Sequence, residues 1–127
     1  MPANNNKINH VRIADFFHLD EFQCPCCLMV KIHPILLEKL SELRYRLQKP
    51  IIITSGYRCP NNNREVGGVN TSYHLFGMAA DIYVAKIPLE ELFKEADKIG
   101  FNGIGYYPEN NFLHLDIRPA GPVFWQG

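Results

Sequence analysis

The sequence predicts an α+β fold: a mainly antiparallel sheet with helices packed on one face. Two segments carry apolar residues at helical spacing, and several short β-rich segments lie between and after them. The last two of these are joined by a turn too short for a parallel crossover, so they pair antiparallel. At 127 residues the chain has room for one core, and the whole of 1–127 is expected to form a single domain with residues 1–10 frayed.

The elements follow in order. Residues 11–22, VRIADFFHLDEF, hold apolar residues without clean periodicity, which suggests a short helix or turn that packs two phenylalanines. A helix runs from Pro34 to about Gln48. Pro34 suits the first helical position, where its missing N–H costs little, and Leu36, Leu40, Leu43 and Leu47 form one stripe. Pro50 ends it, and the β-branched run Ile51–Thr54 reads as a buried strand that stops at Ser55-Gly56. Residues 57–77 form a long Asn- and Gly-rich loop, of the kind that often carries function. Strand character returns from Ala79 to Ala85. A second helix spans Pro88 to Ile99, with Glu90 and Glu91 in its first turn and Gly100 to close it. Its stripe is Leu89, Leu92, Phe93, Ala96 and Ile99. Two strands, 103–107 and 111–117, flank the hairpin-like connection Pro108-Glu109-Asn110.

Composition narrows the function classes. Hydrophobic residues make up 46% and charged residues 20%, which is globular and not disordered. Thirteen basic residues balance thirteen acidic ones, so the broad basic surface of a nucleic-acid binder is missing. No apolar run reaches the roughly 18–20 residues that cross a bilayer. MPANNNKINH lacks the apolar core of a secretory signal, so the expectation is a protein made in the cytoplasm, without a transmembrane segment or nucleic-acid partner. A monomer is expected. Cys24, Cys26, Cys27 and Cys59 read first as reduced thiols packed as small hydrophobes; a structural metal or disulfide role involving Cys59 is the alternative.

Five histidines are present. His10, His18 and His33 lack metal-ligand spacing and read as structural or solvent-facing, His33 as part of a helix start. His74 and His114 differ. Asp81 follows His74 by seven residues inside the apolar strand AADIYVA, where a carboxylate is rarely buried unless paired or metal-bound. His114 and Asp116 stand two apart in a strand and so project from one face, with Leu113, Leu115 and Ile117 on the other. Two histidines and a carboxylate are a common catalytic zinc set, although local His74–Asp81 and His114–Asp116 hydrogen-bonded pairs explain the same spacing. H-E-x-x-H on a helix is absent, which excludes a zincin.

The segment Ser72-Tyr73-His74-Leu75-Phe76-Gly77-Met78-Ala79-Ala80-Asp81 reads S-x-H-x-x-G-x-A-x-D. Upstream lies Ser55-Gly56-Tyr57-Arg58, then Asn63 and Val66-Gly67-Gly68; downstream come GIGYY and His114-Leu115-Asp116. Over roughly residues 14–125 this resembles the zinc D-Ala-D-Ala carboxypeptidases and related cell-wall peptidases, whose metal-binding fold is shared with the hedgehog signalling domain. The resemblance is to the branch of small members. It implies that His74, Asp81 and His114 ligate Zn²⁺, that Arg58 binds or polarises substrate, and that Ser72 supports a ligand or the loop; an ordinary loop arginine paired with a surface carboxylate and a serine that caps a turn are the alternatives. Gly77 fits a close backbone approach, or a plain turn. Many relatives set a Glu or Asp general base a few residues before the last histidine ligand, and here the third position before His114 is Asn111. Asp116 is the preferred base, or a partner that orients His114 or a ligand itself; Glu109, in the turn, is the other candidate base.

The resemblance therefore implies a zinc metallopeptidase that hydrolyses peptidoglycan stem peptides in the cell wall, by D-Ala-D-Ala carboxypeptidase or endolysin-type endopeptidase action; the missing signal fits either phage-type release or a domain cut from a longer protein. The alternative is a non-catalytic, zinc-stabilised cell-wall-binding module, which the missing glutamate favours. Trp125 is left without a role, and the sequon Asn70-Thr71-Ser72 reads as chance.

Overall fold

The computed structural model describes residues 8–127, so the fraying expected of residues 1–10 falls, for 1–7, outside the described residues. Helix α1 spans Pro34–Leu47, with proline in its first turn and the His33 ring accepting the Ile35 N–H at 3.1 Å as N-cap. Helix α3, Leu89–Ile99, follows Pro88 and closes on Gly100. Leu36, Leu40 and Leu43 of α1 and Leu92, Ala96 and Ile99 of α3 are buried against each other and the sheet.

Five strands make the main sheet: β3 (Ile52–Ser55), β4 (Ala79–Tyr83), β5 (Gly103–Tyr107), β6 (Phe112–Asp116) and β7 (Val123–Gln126), in spatial order β3-β4-β6-β5-β7. Every pairing is antiparallel except β5 with β7. Alternation sorts their side chains. Ala80, Ile82, Ile104, Leu113 and Leu115 join the helices in the core, each such aliphatic burial contributing about 1.5–3 kcal/mol for the larger residues. Register then places Asp81 beside His114, and Asp116 between Ala79 and Gly103, on the opposite face. The α+β fold with its mainly antiparallel sheet is the expected one, and α1 and α3 share one sheet face. No helix among the described residues is long and apolar enough to cross a membrane.

Several local expectations change. Residues 11–22 form a small hairpin, β1 (Arg12–Ala14) with β2 (Phe17–His18), and a 3-10 turn over Leu19–Phe22. Phe17 and Phe22 are buried with ring centroids 5.8 Å apart, while Phe16 stays exposed against Tyr45. The loop 57–77 is not structureless. It contains α2 (Pro60–Glu65) and a 3-10 turn over Tyr73–Phe76, because Cys59 caps α2 and Pro60 begins it. The strands expected over 51–54, 79–85 and 111–117 begin or end one or two residues away, and β7 was not expected at all. The thiols also differ from the packed-hydrophobe reading: Cys24 is buried, but Cys26 and Cys27 are exposed.

Candidate metal centre and cleft

His74 lies in the Tyr73–Phe76 turn, where Ser72 Oγ accepts its backbone N–H at 3.2 Å and its carbonyl accepts from Arg58 N at 3.2 Å. That turn ends on Gly77 at φ 69°, where a Cβ would sit 2.7 Å from the Lys31 backbone. Asp81 and His114 are cross-strand partners of β4 and β6. The three side chains meet on one atom: Asp81 Oδ1 is 3.2 Å from His74 Nε2 and 3.1 Å from His114 Nδ1.

The outer nitrogens fix what the inner ones present. His74 Nδ1 is 2.7 Å from the Gly56 carbonyl, which can only accept, so that nitrogen carries a proton. His114 Nε2 is 2.7 Å from Asp116 Oδ2, and the same reasoning applies. Neutral rings therefore turn two lone pairs onto a carboxylate oxygen, with donor atoms within 4.8 Å of one another. Acceptors facing acceptors need a cation or extra protons between them. Two imidazoles and a carboxylate, open to a cleft of about 600 Å³, suit a divalent cation of zinc type with a position left for water or substrate.

Electrostatics agree. Burial pushes the Asp81 carboxyl up, but the hydrogen bonds that protonated His114 and His74 rings would donate to it outweigh burial and hold the group well below the usual carboxylate range. Burial pushes His114 down, yet contact with Asp116 and Asp81 raises it above an ordinary histidine. Positive charge is favoured where the three groups converge.

Arg58 braces Asp81. Its Nη2 donates to Asp81 Oδ2 at 3.2 Å, its Nε to Ser55 Oγ at 3.0 Å and its Nη1 to Asn63 Oδ1 at 3.4 Å. A guanidinium has five N–H groups, so two remain for the cleft that Arg58 lines.

Asp116 lies beneath His114 and is fully buried. Besides His114, Arg118 grips it in a fork: Nη2 to Oδ2 at 2.7 Å and Nε to Oδ1 at 2.9 Å, with the Arg118 backbone N–H on Oδ1 at 3.1 Å. Burial pushes this carboxyl up, and the Arg118 and His114 bonds hold it below the usual range. Gly103 makes the arrangement possible, since a Cβ there would overlap the Asp116 carboxylate. Glu109 stays exposed in the turn between β5 and β6 and does not line the cleft, and Asn111 is exposed at φ 55°.

Sequence reasoning missed Arg118, Tyr73, Tyr107 and Trp125, all of which line the cleft. The Arg118 guanidinium lies 4.9 Å from the Tyr73 ring and 5.0 Å from the Trp125 ring, and Trp125 Nε1 donates to the Tyr107 hydroxyl at 3.0 Å. The signal for Arg118 was present, because the two-residue alternation through His114 and Asp116 continues to it.

The peptidase M15 family model matches residues 10–116. The chain is 38% identical over 96 residues to the peptidoglycan L,D-endopeptidase MepK of Escherichia coli (strain K12), a match covering 70% of this chain and 53% of the relative. It is 35% identical over 105 residues to the probable peptidoglycan L,D-endopeptidase MepK of Haemophilus influenzae, covering 76% and 55%. It is 33% identical over 81 residues to the zinc D-Ala-D-Ala carboxypeptidase of Streptomyces albus G, covering 61% and 32%. The matched segment thus takes up about half the length of the MepK relatives.

Proposed function

This chain belongs to the peptidase M15 family, and on that premise we propose that it is a zinc-dependent peptidase cleaving an internal bond of peptidoglycan stem peptides in the cell wall. The observation that carries the reading is the convergence of His74 Nε2 and His114 Nδ1 on Asp81 Oδ1, which supports these three residues as the zinc ligands. When bound, zinc supplies Lewis acidity toward the scissile carbonyl and an attacking water.

The chain's own groups do the rest. Gly56 O holds the His74 tautomer and Asp116 holds that of His114, so each ring keeps its ligating nitrogen turned inward. Arg58 fixes Asp81 through one N–H and offers its two free ones to the carbonyl oxygen as negative charge grows there. Asp116 acts as a positioning residue that holds the His114 Nε2 proton, in place of the general-base role. Glu109 takes no part. Tyr73, Tyr107 and Trp125 wall the cleft against water and can seat the apolar parts of a stem peptide.

An internal bond is favoured over a terminal D-Ala-D-Ala bond because, among the described residues, no cation lining the cleft is without a carboxylate partner. Its two arginines are already neutralised by Asp81 and Asp116. The L,D-endopeptidase name of the more similar relatives points the same way. One observation favours a binding module instead: among the described residues, Asp81 is the only carboxylate lining the cleft. Digestion of purified peptidoglycan with the zinc-loaded protein, followed by mass spectrometry of soluble products, tests the reading. Release of stem-peptide fragments with new internal termini supports it. Free D-alanine as the sole product would replace it with a carboxypeptidase, and saturable binding without any product would replace it with the module.

A further inference from the structure

A second cluster stands apart from the cleft, which none of its residues lines. The Sγ atoms of Cys24, Cys26, Cys27 and Cys59 all lie within 4.8 Å of one another. Cys26 Sγ is 3.5 Å from Cys24 Sγ and 3.2 Å from Cys59 Sγ, and all four residues are free thiols. Tetrahedral zinc at about 2.3 Å from each sulfur would set the sulfurs about 3.8 Å apart, inside the range spanned here.

The backbone is arranged for sulfur ligands. Residues 24–29 fold into a tight knuckle, with Leu28 N bonded to Cys24 O at 2.9 Å, Cys24 N to Met29 O at 2.7 Å, and Leu28 at φ 64°. Cys59 N donates to Cys24 Sγ at 3.5 Å and Asn62 N to Cys59 Sγ at 3.4 Å, so backbone N–H groups point at two of the sulfurs. Burial pushes the Cys24 thiol up, but backbone donors of Cys59 and Cys26 outweigh it and draw it down to about 6. Shared protons with Cys59 and Cys24 push Cys26 up to about 12. Four thiolates cannot coexist this closely unless a cation sits among them.

We propose that Cys24, Cys26, Cys27 and Cys59 bind one zinc ion in a closed structural site that ties the 24–29 knuckle to the start of α2. Four thiols lose four protons to solvent and gain four Zn–S bonds, with no oxidant or reductant involved. All four positions being sulfur, the ion has no open position for substrate, so its role is to staple. The staple adjoins Arg58, whose neighbour Cys59 is a ligand, and thus helps hold the guanidinium that braces Asp81. The proposal does not depend on the peptidase reading.

Cobalt titration of the reduced, metal-stripped full chain is the test, with spectra before and after zinc is added back. The expected result is a near-ultraviolet thiolate-to-cobalt charge-transfer band that zinc displaces. The band should be retained in His74→Ala, which disables the other centre, and lost in Cys26→Ser and Cys27→Ser. Both cysteines are exposed, so circular dichroism of the stripped variants should match wild type. Zinc should also protect all four wild-type thiols from alkylation. A folded, reduced wild-type chain without the band, or freshly purified protein holding a Cys26–Cys59 disulfide in place of metal, would overturn the proposal.

Discussion

Replacing Asp116 by Asn changes one atom's chemistry at a fully buried polar point beneath His114. Asp116 accepts from His114 Nε2 and from three Arg118 donors, at 2.7–3.1 Å. An asparagine amide must place its NH₂ either where Oδ2 meets His114 and Arg118 Nη2 or where Oδ1 meets the Arg118 Nε and backbone N–H, so a donor meets a donor. A hydrogen bond to a charged group contributes about 1.5–3 kcal/mol, and Arg118 recovers part of its share by turning to water. The expected destabilisation of the metal-free protein is about 2 kcal/mol, a fall in Tm on the order of 6–10 °C. Loss of a partner that orients a ligating histidine costs about 10–100-fold in metal affinity. The assay is competition for zinc against a chromophoric chelator, with turnover on cross-linked muropeptides measured at limiting and saturating zinc. If Asp116 positions His114, affinity falls by that factor and saturating zinc restores most of the turnover. Unchanged zinc affinity with turnover lost at every zinc concentration would refute the reasoning and make Asp116 the proton acceptor.

Arg58→Lys keeps the charge but not the fork that reaches Asp81, Ser55 and Asn63 together. Its kcat should drop about 10²–10³-fold with KM little changed, as measured by steady-state kinetics, because the lost donors act on developing charge. Gly103→Ala pushes a methyl into the Asp116 carboxylate and should destabilise the fold by about 1–3 kcal/mol in urea unfolding, with weaker zinc retention. Glu109→Gln, at an exposed turn position, should leave kcat/KM within about twofold of wild type; a hundredfold loss would restore it as the base.

Much of this was legible in the chain. Pro34, the leucine stripe and Gly100 announced α1 and α3 because caps and periodicity are local signals. The alternation HLD and the isolated Asp81 in AADIYVA likewise announced which side chains leave the core. What escaped depends on distant segments. β7 is a short, mostly exposed edge strand whose parallel pairing with β5 no local pattern encodes. The thiol cluster needs Cys59 to arrive from 33 residues beyond Cys26, beside the point where Tyr57 N reaches Phe22 O at 2.8 Å. α2 was readable from Cys-Pro at its start and was hidden by the asparagine run that follows. The positioning role proposed for Asp116 turns on Arg118, whose fork on the carboxylate only the folded strand end reveals.

The most direct test of the central claim is zinc content measured together with stem-peptide release, on wild type and on His74→Ala. Loss of one zinc per chain in the variant, relative to wild type, with release abolished in the same samples, is the result expected of a His74–Asp81–His114 metal centre. Equal zinc in the two proteins, or undiminished release from the variant, would contradict it.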